Sequence, residues 1–216
     1  MDYNYIFFDC ESNSGRSHAD ILTISALFVD KNFKLIEEFN CAARLRKSRI
    51  YEIDSFLVNG MDPFEVDKHP FSNFDLTKKT NDKFISWINK GPVLFCAHNG
   101  YQFDYMLTST HLFTNLFTWP WIFSTGNAKQ IDSLPILQNF DFYAPNTIAV
   151  ELNEKSNKTF KLGSLCRMNG FDLGDKAHTA EADTLGMSKL MQLISKKNPE
   201  LFKKSISLND KKNVLS

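Results

Sequence analysis

The sequence predicts an α/β fold on a mixed five-stranded sheet, with three antiparallel strands and helices packed around it. Three observations carry this. Three segments rich in β-branched and aromatic residues, Tyr5 to Asp9, Ile21 to Val29 and Leu35 to Cys41, follow one another across short polar segments. Two later segments, Val93 to Ala97 and Lys129 to Asp132, each lead into a helical pattern. At 216 residues and 43% hydrophobic composition, the chain suits one domain with a substantial core. That domain is expected over 1–202, with the Lys- and Ser-rich 203–216 as a flexible tail.

Each element has its own signal. Tyr5 to Asp9 is a continuous apolar run ending in an acid, the pattern of a buried central strand. Asn13 to Asp20 is polar and holds Gly15, so it reads as a loop. Asp30-Lys31-Asn32 turns the second strand into the third, and strands joined so closely run antiparallel. Arg44 to Arg49 is a short basic stretch, more often a solvated loop than a phosphate contact. Asp62-Pro63 reads as a helix start, with Pro at the first helical position. Phe84, Ile85, Trp87 and Ile88 fall on a helical period within Thr77 to Asn89, and Gly91-Pro92 ends it. Helices are expected over Tyr101 to His111, from Ser133, and over Glu181 to Lys196. In the last of these, Met187, Leu190, Met191 and Ile194 recur at helical spacing. Trp119-Pro120-Trp121 is an aromatic loop, and the polar stretch Asp141 to Lys158 is expected to be irregular and mobile.

Composition narrows the function classes. Lys plus Arg number 25 and Asp plus Glu 25, so no global field draws the protein to nucleic acid. Attraction to a polyanion must then be local or supplied by metal ions. The four cysteines, Cys10, Cys41, Cys96 and Cys166, lack Cys-x-x-Cys spacing and read as reduced thiols of an intracellular, cytoplasmic protein. The N-terminus lacks a basic signal-peptide region, and no apolar run reaches the ~20 residues that span a bilayer. There are 20 Phe, most of them suited to the core and a few to stacking on bases.

The acidic residues form a pattern. Asp9 and Glu11 are two apart at the end of a strand, so both side chains point to one face. A buried carboxylate pair repels itself unless a cation or proton intervenes. Asp104 follows the turn His98-Asn99-Gly100, and Asp183 opens a helix five residues after His178. Either alone is an ordinary first-turn acid, favoured by the helix dipole. Together the four supply hard oxygen ligands of the kind magnesium and manganese prefer.

Asp9-x-Glu11, Asp104, and His178 with Asp183, in that order, resemble the three motifs of the DEDDh 3'–5' exonucleases. Val58-Asn59-Gly60-Met61-Asp62-Pro63 looks like that family's link between third strand and first helix. Lys161-Leu162-Gly163-Ser164-Leu165-Cys166 through Asp183, then Asn198-Pro199-Glu200-Leu201-Phe202, is similar to the nuclease domain of the exonuclease I branch. The chain departs from that branch at Cys10 and Ser12, where an aromatic residue and a Thr are usual. The resemblance implies a ribonuclease H-like sheet and release of nucleoside 5'-monophosphates. It implies two Mg2+ ions, replaceable by Mn2+, held by Asp9, Glu11, Asp104 and Asp183, with His178 as the general base. Ser12, His98, Asn99 and Phe103 would meet the substrate. Single-stranded DNA is favoured over RNA on the subfamily resemblance, with a role in DNA repair. Alternatives left open are a short-RNA exonuclease, a proofreading subunit beside a polymerase, and a nucleic-acid-binding module without turnover.

Overall fold

The computed structural model describes residues 2–16, 19–48, 50–117, 121–171, 179–208 and 213. Five strands form the main sheet: β1 (Asn4–Ser12), β2 (Ile21–Val29), β3 (Leu35–Ala42), β4 (Val93–Ala97) and β5 (Ala128–Asp132). Their order is β3-β2-β1-β4-β5, which puts β1 at the centre. β1, β2 and β3 pair antiparallel, whereas β4 runs parallel to both β1 and β5. The expected five-stranded mixed sheet is present. β4 is short, and its pairing with β1 stops at Phe7. The remainder of β1 therefore projects beyond β4 on that side.

Alternation along β1 assigns its faces. Ile6, Phe8 and Cys10 enter one core with Phe84, Trp87, Tyr105 and Leu107. Tyr5 and Phe7 enter the other, with Met187, Leu190, Met191 and Ile194. These partners come from α3 (Asn73–Ile88) and α4 (Asp104–Thr114) on one side and α7 (Ala180–Lys197) on the other. Much of the Phe content is spent here. Phe8 stacks on Phe123 at 5.2 Å, and Phe84, Phe95 and Tyr105 meet the same ring or Phe8 edge-on. Each such pair adds roughly 0.5–1.5 kcal/mol beyond the area it buries.

Several helices begin where a side chain caps them. Ser72 and Asp75 form a capping box at the start of α3. This helix is clamped to β3 by Glu37, which accepts hydrogen bonds from Lys83, Trp87 Nε1 and Lys90. The Lys83 and Trp87 bonds hold its carboxyl down at about 2. Between β3 and α3 lie α1 (Ile53–Asn59) and α2 (Pro63–Val66), the latter capped by Asp62 as its Asp-Pro start implied.

Several boundaries differ from the sequence reading. α3 begins at Asn73, a turn earlier than expected, because the capping box sits there. α4 begins at Asp104, since Asn99 takes φ 58° and the turn continues through Phe103. The stretch 141–158 is irregular only in part: α5 (Ser133–Tyr143) enters it, and β6 (Glu151–Leu152) then pairs with β7 (Lys158–Thr159) as a small hairpin. Asn153 closes that hairpin, its side chain accepting from the backbone N–H groups of Lys155 and Asn157. α6 (Leu162–Met168) and α8 (Pro199–Ser207) are the remaining α-helices among the described residues. The boundary expected at 202 falls inside α8, where Phe202 and Ser205 are buried. Trp119 and Pro120 lie outside the described residues, and Trp121 is exposed. Among the described residues, no helix is long and apolar enough to cross a membrane.

Candidate active site

Alternation points Asp9 and Glu11 toward α7, on the same face as Tyr5 and Phe7. Asp183 lies in the first turn of α7, a helix capped by Thr179, whose Oγ1 accepts from the Ala182 N–H at 3.3 Å. Carboxylate oxygens of Asp9, Glu11 and Asp183 lie within 4.8 Å of one another, and all three residues are half-buried. The helix is fixed beside them by a buried contact. Ser25, opposite Asp9 in the β1–β2 register, has its Oγ 3.1 Å from Thr184 Oγ1.

Asp104 arrives from the β4 side. Its Oδ1 accepts the Cys10 backbone N–H at 3.0 Å, along the part of β1 that β4 does not reach. A side chain thus takes the place of a missing strand. The preceding turn is tight: a Cβ on Gly100 would sit 2.4 Å from Ala97 Cβ and 3.0 Å from the Tyr105 ring. Asp132 holds this turn from β5. Its carboxylate accepts from Asn99 N at 2.8 Å and Tyr101 N at 3.2 Å, and also caps α5 through Leu134 N at 2.9 Å.

The electrostatics follow from crowding. Burial first, then repulsion from Asp104, Glu11 and Asp183, pushes the Asp9 carboxyl well above its usual range. Burial, then Asp183 and Asp104, pushes Glu11 up to about 8. Burial raises Asp104 to about 7 against the lowering effect of its backbone N–H partners. Acids arranged so are strained as carboxylates without a cation, which is the donor set a hard divalent ion fits.

The other expected site residues are placed as follows. Ser12 is buried, and its hydroxyl donates to the Ser14 carbonyl at 2.7 Å. His98 uses both ring nitrogens on the protein: Nδ1 lies 2.8 Å from Ser133 Oγ, and Nε2 lies 2.8 Å from the Phe160 carbonyl. Because a carbonyl only accepts, Nε2 carries the proton. His98 therefore joins β4 to the segment before α6 and leaves no ring nitrogen for a substrate. Phe103 packs against the core on the α3–α4 side, and Asn99 is exposed. His178 lies outside the described residues. In the basic stretch, Arg46 pairs with buried Asp20 at 2.6 Å, and Arg44 donates to the Pro70 carbonyl. Sequence reading missed Asp132, Ser25 and Thr184. Only Asp132 left a local trace, the Asp-Ser-Leu-Pro start of a helix.

An antiparallel β1–β2–β3 unit extended by parallel strands, with helices on both faces, is the ribonuclease H-like arrangement found in exonuclease I. No protein-family model matches the chain. A curated relative, exodeoxyribonuclease I of Buchnera aphidicola subsp. Schizaphis graminum, is 26% identical over 206 residues, 93% of this chain and 41% of the relative. E. coli exonuclease I in complex with a dA16 oligonucleotide superposes with a TM-score of 0.90 at 18% identity, over 99% of this chain and 45% of that one. The zinc-bound form of an E. coli exonuclease I–single-stranded DNA complex gives 0.89 at 18% identity, over 99% and 45%. The chain thus has the fold of the corresponding part of exonuclease I and spans less than half the length of these relatives.

Proposed function

We propose that this protein is a divalent-metal-dependent 3'–5' exonuclease that hydrolyses single-stranded DNA and releases nucleoside 5'-monophosphates. The observation that carries it is the meeting of Asp9, Glu11 and Asp183 within 4.8 Å, from two separate elements. Asp104 is anchored to the same strand. Asp9, Glu11, Asp104 and Asp183 would hold two Mg2+ ions, or Mn2+ in their place. Bound there, the cations would offset the charge that builds on a phosphodiester under attack. His178, five positions before Asp183, would take the proton of the attacking water, a role suited to its ordinary pKa of about 6.5. The DNA preference is supported by the relative's name and by the single-stranded DNA held by the E. coli protein.

The test is incubation with 5'-labelled single-stranded DNA and RNA in Mg2+, Mn2+ or EDTA. Stepwise shortening from the 3' end, abolished by EDTA and faster on DNA, is expected. Undegraded DNA in both metals would overturn the reading.

A further inference from the structure

We propose that a second surface, on the far side of the β3 edge, binds the upstream part of the single-stranded DNA; this rests on the activity proposed above. The cross-strand register gives the path. Asp9 opposes Ser25, and Ser25 opposes Asn40, so one row runs from the carboxylates to the edge of the sheet. Two inter-strand spacings make that row ~10 Å long. Asn40 and Cys41 there line two open clefts. One contains Thr23, Ser25, Met61 and Glu181 and adjoins the carboxylates. The other lies toward α3 and contains Phe39, Phe71, Lys79 and Lys83. A strand leaving the first cleft over the edge enters the second.

The chemistry of the second cleft fits a polyanion with stackable bases. Phe71 is 37% exposed, and Lys79 Nζ lies 4.4 Å from its ring centroid. A base can stack on such a ring while the ammonium meets a phosphate. The carboxylates nearby are already engaged. Asp82 pairs with Lys78 at 2.6 Å, Lys83 pairs with Glu37, and Asp75 accepts from Ser72 in the capping box. Arg44 and Lys79 both bear on Asp75, so the cations here outnumber the acid they share. A chain with zero net charge thereby gains a local attraction for phosphate beside its acidic centre.

The experiment compares a deoxy 12-mer with a deoxy 3-mer. Binding is read by fluorescence anisotropy in EDTA at several salt concentrations, and turnover is read in Mg2+. Wild type should bind the 12-mer more tightly than the 3-mer. Phe71→Ala should weaken 12-mer binding at least ~5-fold, the lower end of one lost base stack. Lys79→Ala should flatten the salt slope by ~0.7, the value for one phosphate contact on a single strand. Both variants should turn over the 3-mer as wild type does. Equal wild-type affinity for both lengths overturns the surface, as does 12-mer binding by both variants within two-fold of wild type. Equal losses on the 3-mer overturn it too, because the defect then lies in the active site. Tighter binding of a ribo-12-mer overturns the assignment to DNA. Inactivity on every substrate with length-dependent binding intact would instead defeat the exonuclease reading alone.

Discussion

Each carboxylate at the centre of this site is held at the expense of the others. Asp9→Ala or Glu11→Ala should therefore abolish metal-dependent hydrolysis while the apoprotein keeps or gains thermal stability, because burial and mutual repulsion raise both acids. Calorimetry in EDTA beside an activity assay checks this, and activity within a few-fold of wild type would remove them from the metal set. His178→Ala should cost at least ~10²-fold in rate and recover partly at high pH, where hydroxide replaces the base. A pH–rate profile parallel to wild type would show that another group takes the proton. Gly100→Ala should destabilise by roughly 1–3 kcal/mol, the usual cost of overpacking, since its Cβ would meet Ala97 Cβ at 2.4 Å. Chemical denaturation measures it. The residues that sequence exposed best were those with local signatures. Asp9 and Glu11 share a face because strands alternate, and that is visible in three consecutive letters. His98 sits beside the same motif, yet its ring is bonded to Ser133 and to the Phe160 carbonyl, 62 positions on, and no local pattern encodes that.

At the level of elements, the site depends on how α7 is seated. Thr184 is fully buried, bonds the Ala180 and Glu181 carbonyls, and faces Ser25 across to β2. Thr184→Val keeps the shape and leaves Ser25 Oγ without this partner, at a cost of ~1–3 kcal/mol. It should also weaken Mn2+ binding, because Asp183 is the adjacent residue. Asn198→Ala, which removes the cap of α8 far along the chain, is the control of similar stability loss. If both variants bind Mn2+ alike in titration calorimetry, the Ser25–Thr184 contact does not position α7. Element order and type were readable because the strands and long helices carry strong periodicity. The β6–β7 hairpin was not, since two-residue strands carry no period and Asn153 makes the turn with its side chain.

The whole molecule should feel the acidic centre through its pH dependence. Glu11 and Asp104 have folded-state pKa values of about 8 and about 7, above their ordinary values of 4.5 and 3.8. The folded state then binds more protons than the unfolded one between those limits. Its stability is full below pH ~4 and is lost as pH rises through ~7–8. Melting in EDTA should accordingly fall between pH 6 and pH 9, and Mg2+ should reverse most of that fall at the upper end. A flat Tm across the range, with and without metal, would show that these acids are not mutually strained. The site also draws its parts from distant stretches of chain: β1 near the start, the N-terminus of α4 at mid-chain, and α7, whose first turn follows residue 179. During synthesis Asp9 and Glu11 leave the ribosome well before Asp183, so the carboxylate cluster cannot close until α7 has left the exit tunnel and docked on β1 and β2. The proposed activity would be withheld until then, and a nascent chain stalled before Ala180 should not bind Mn2+ at this centre.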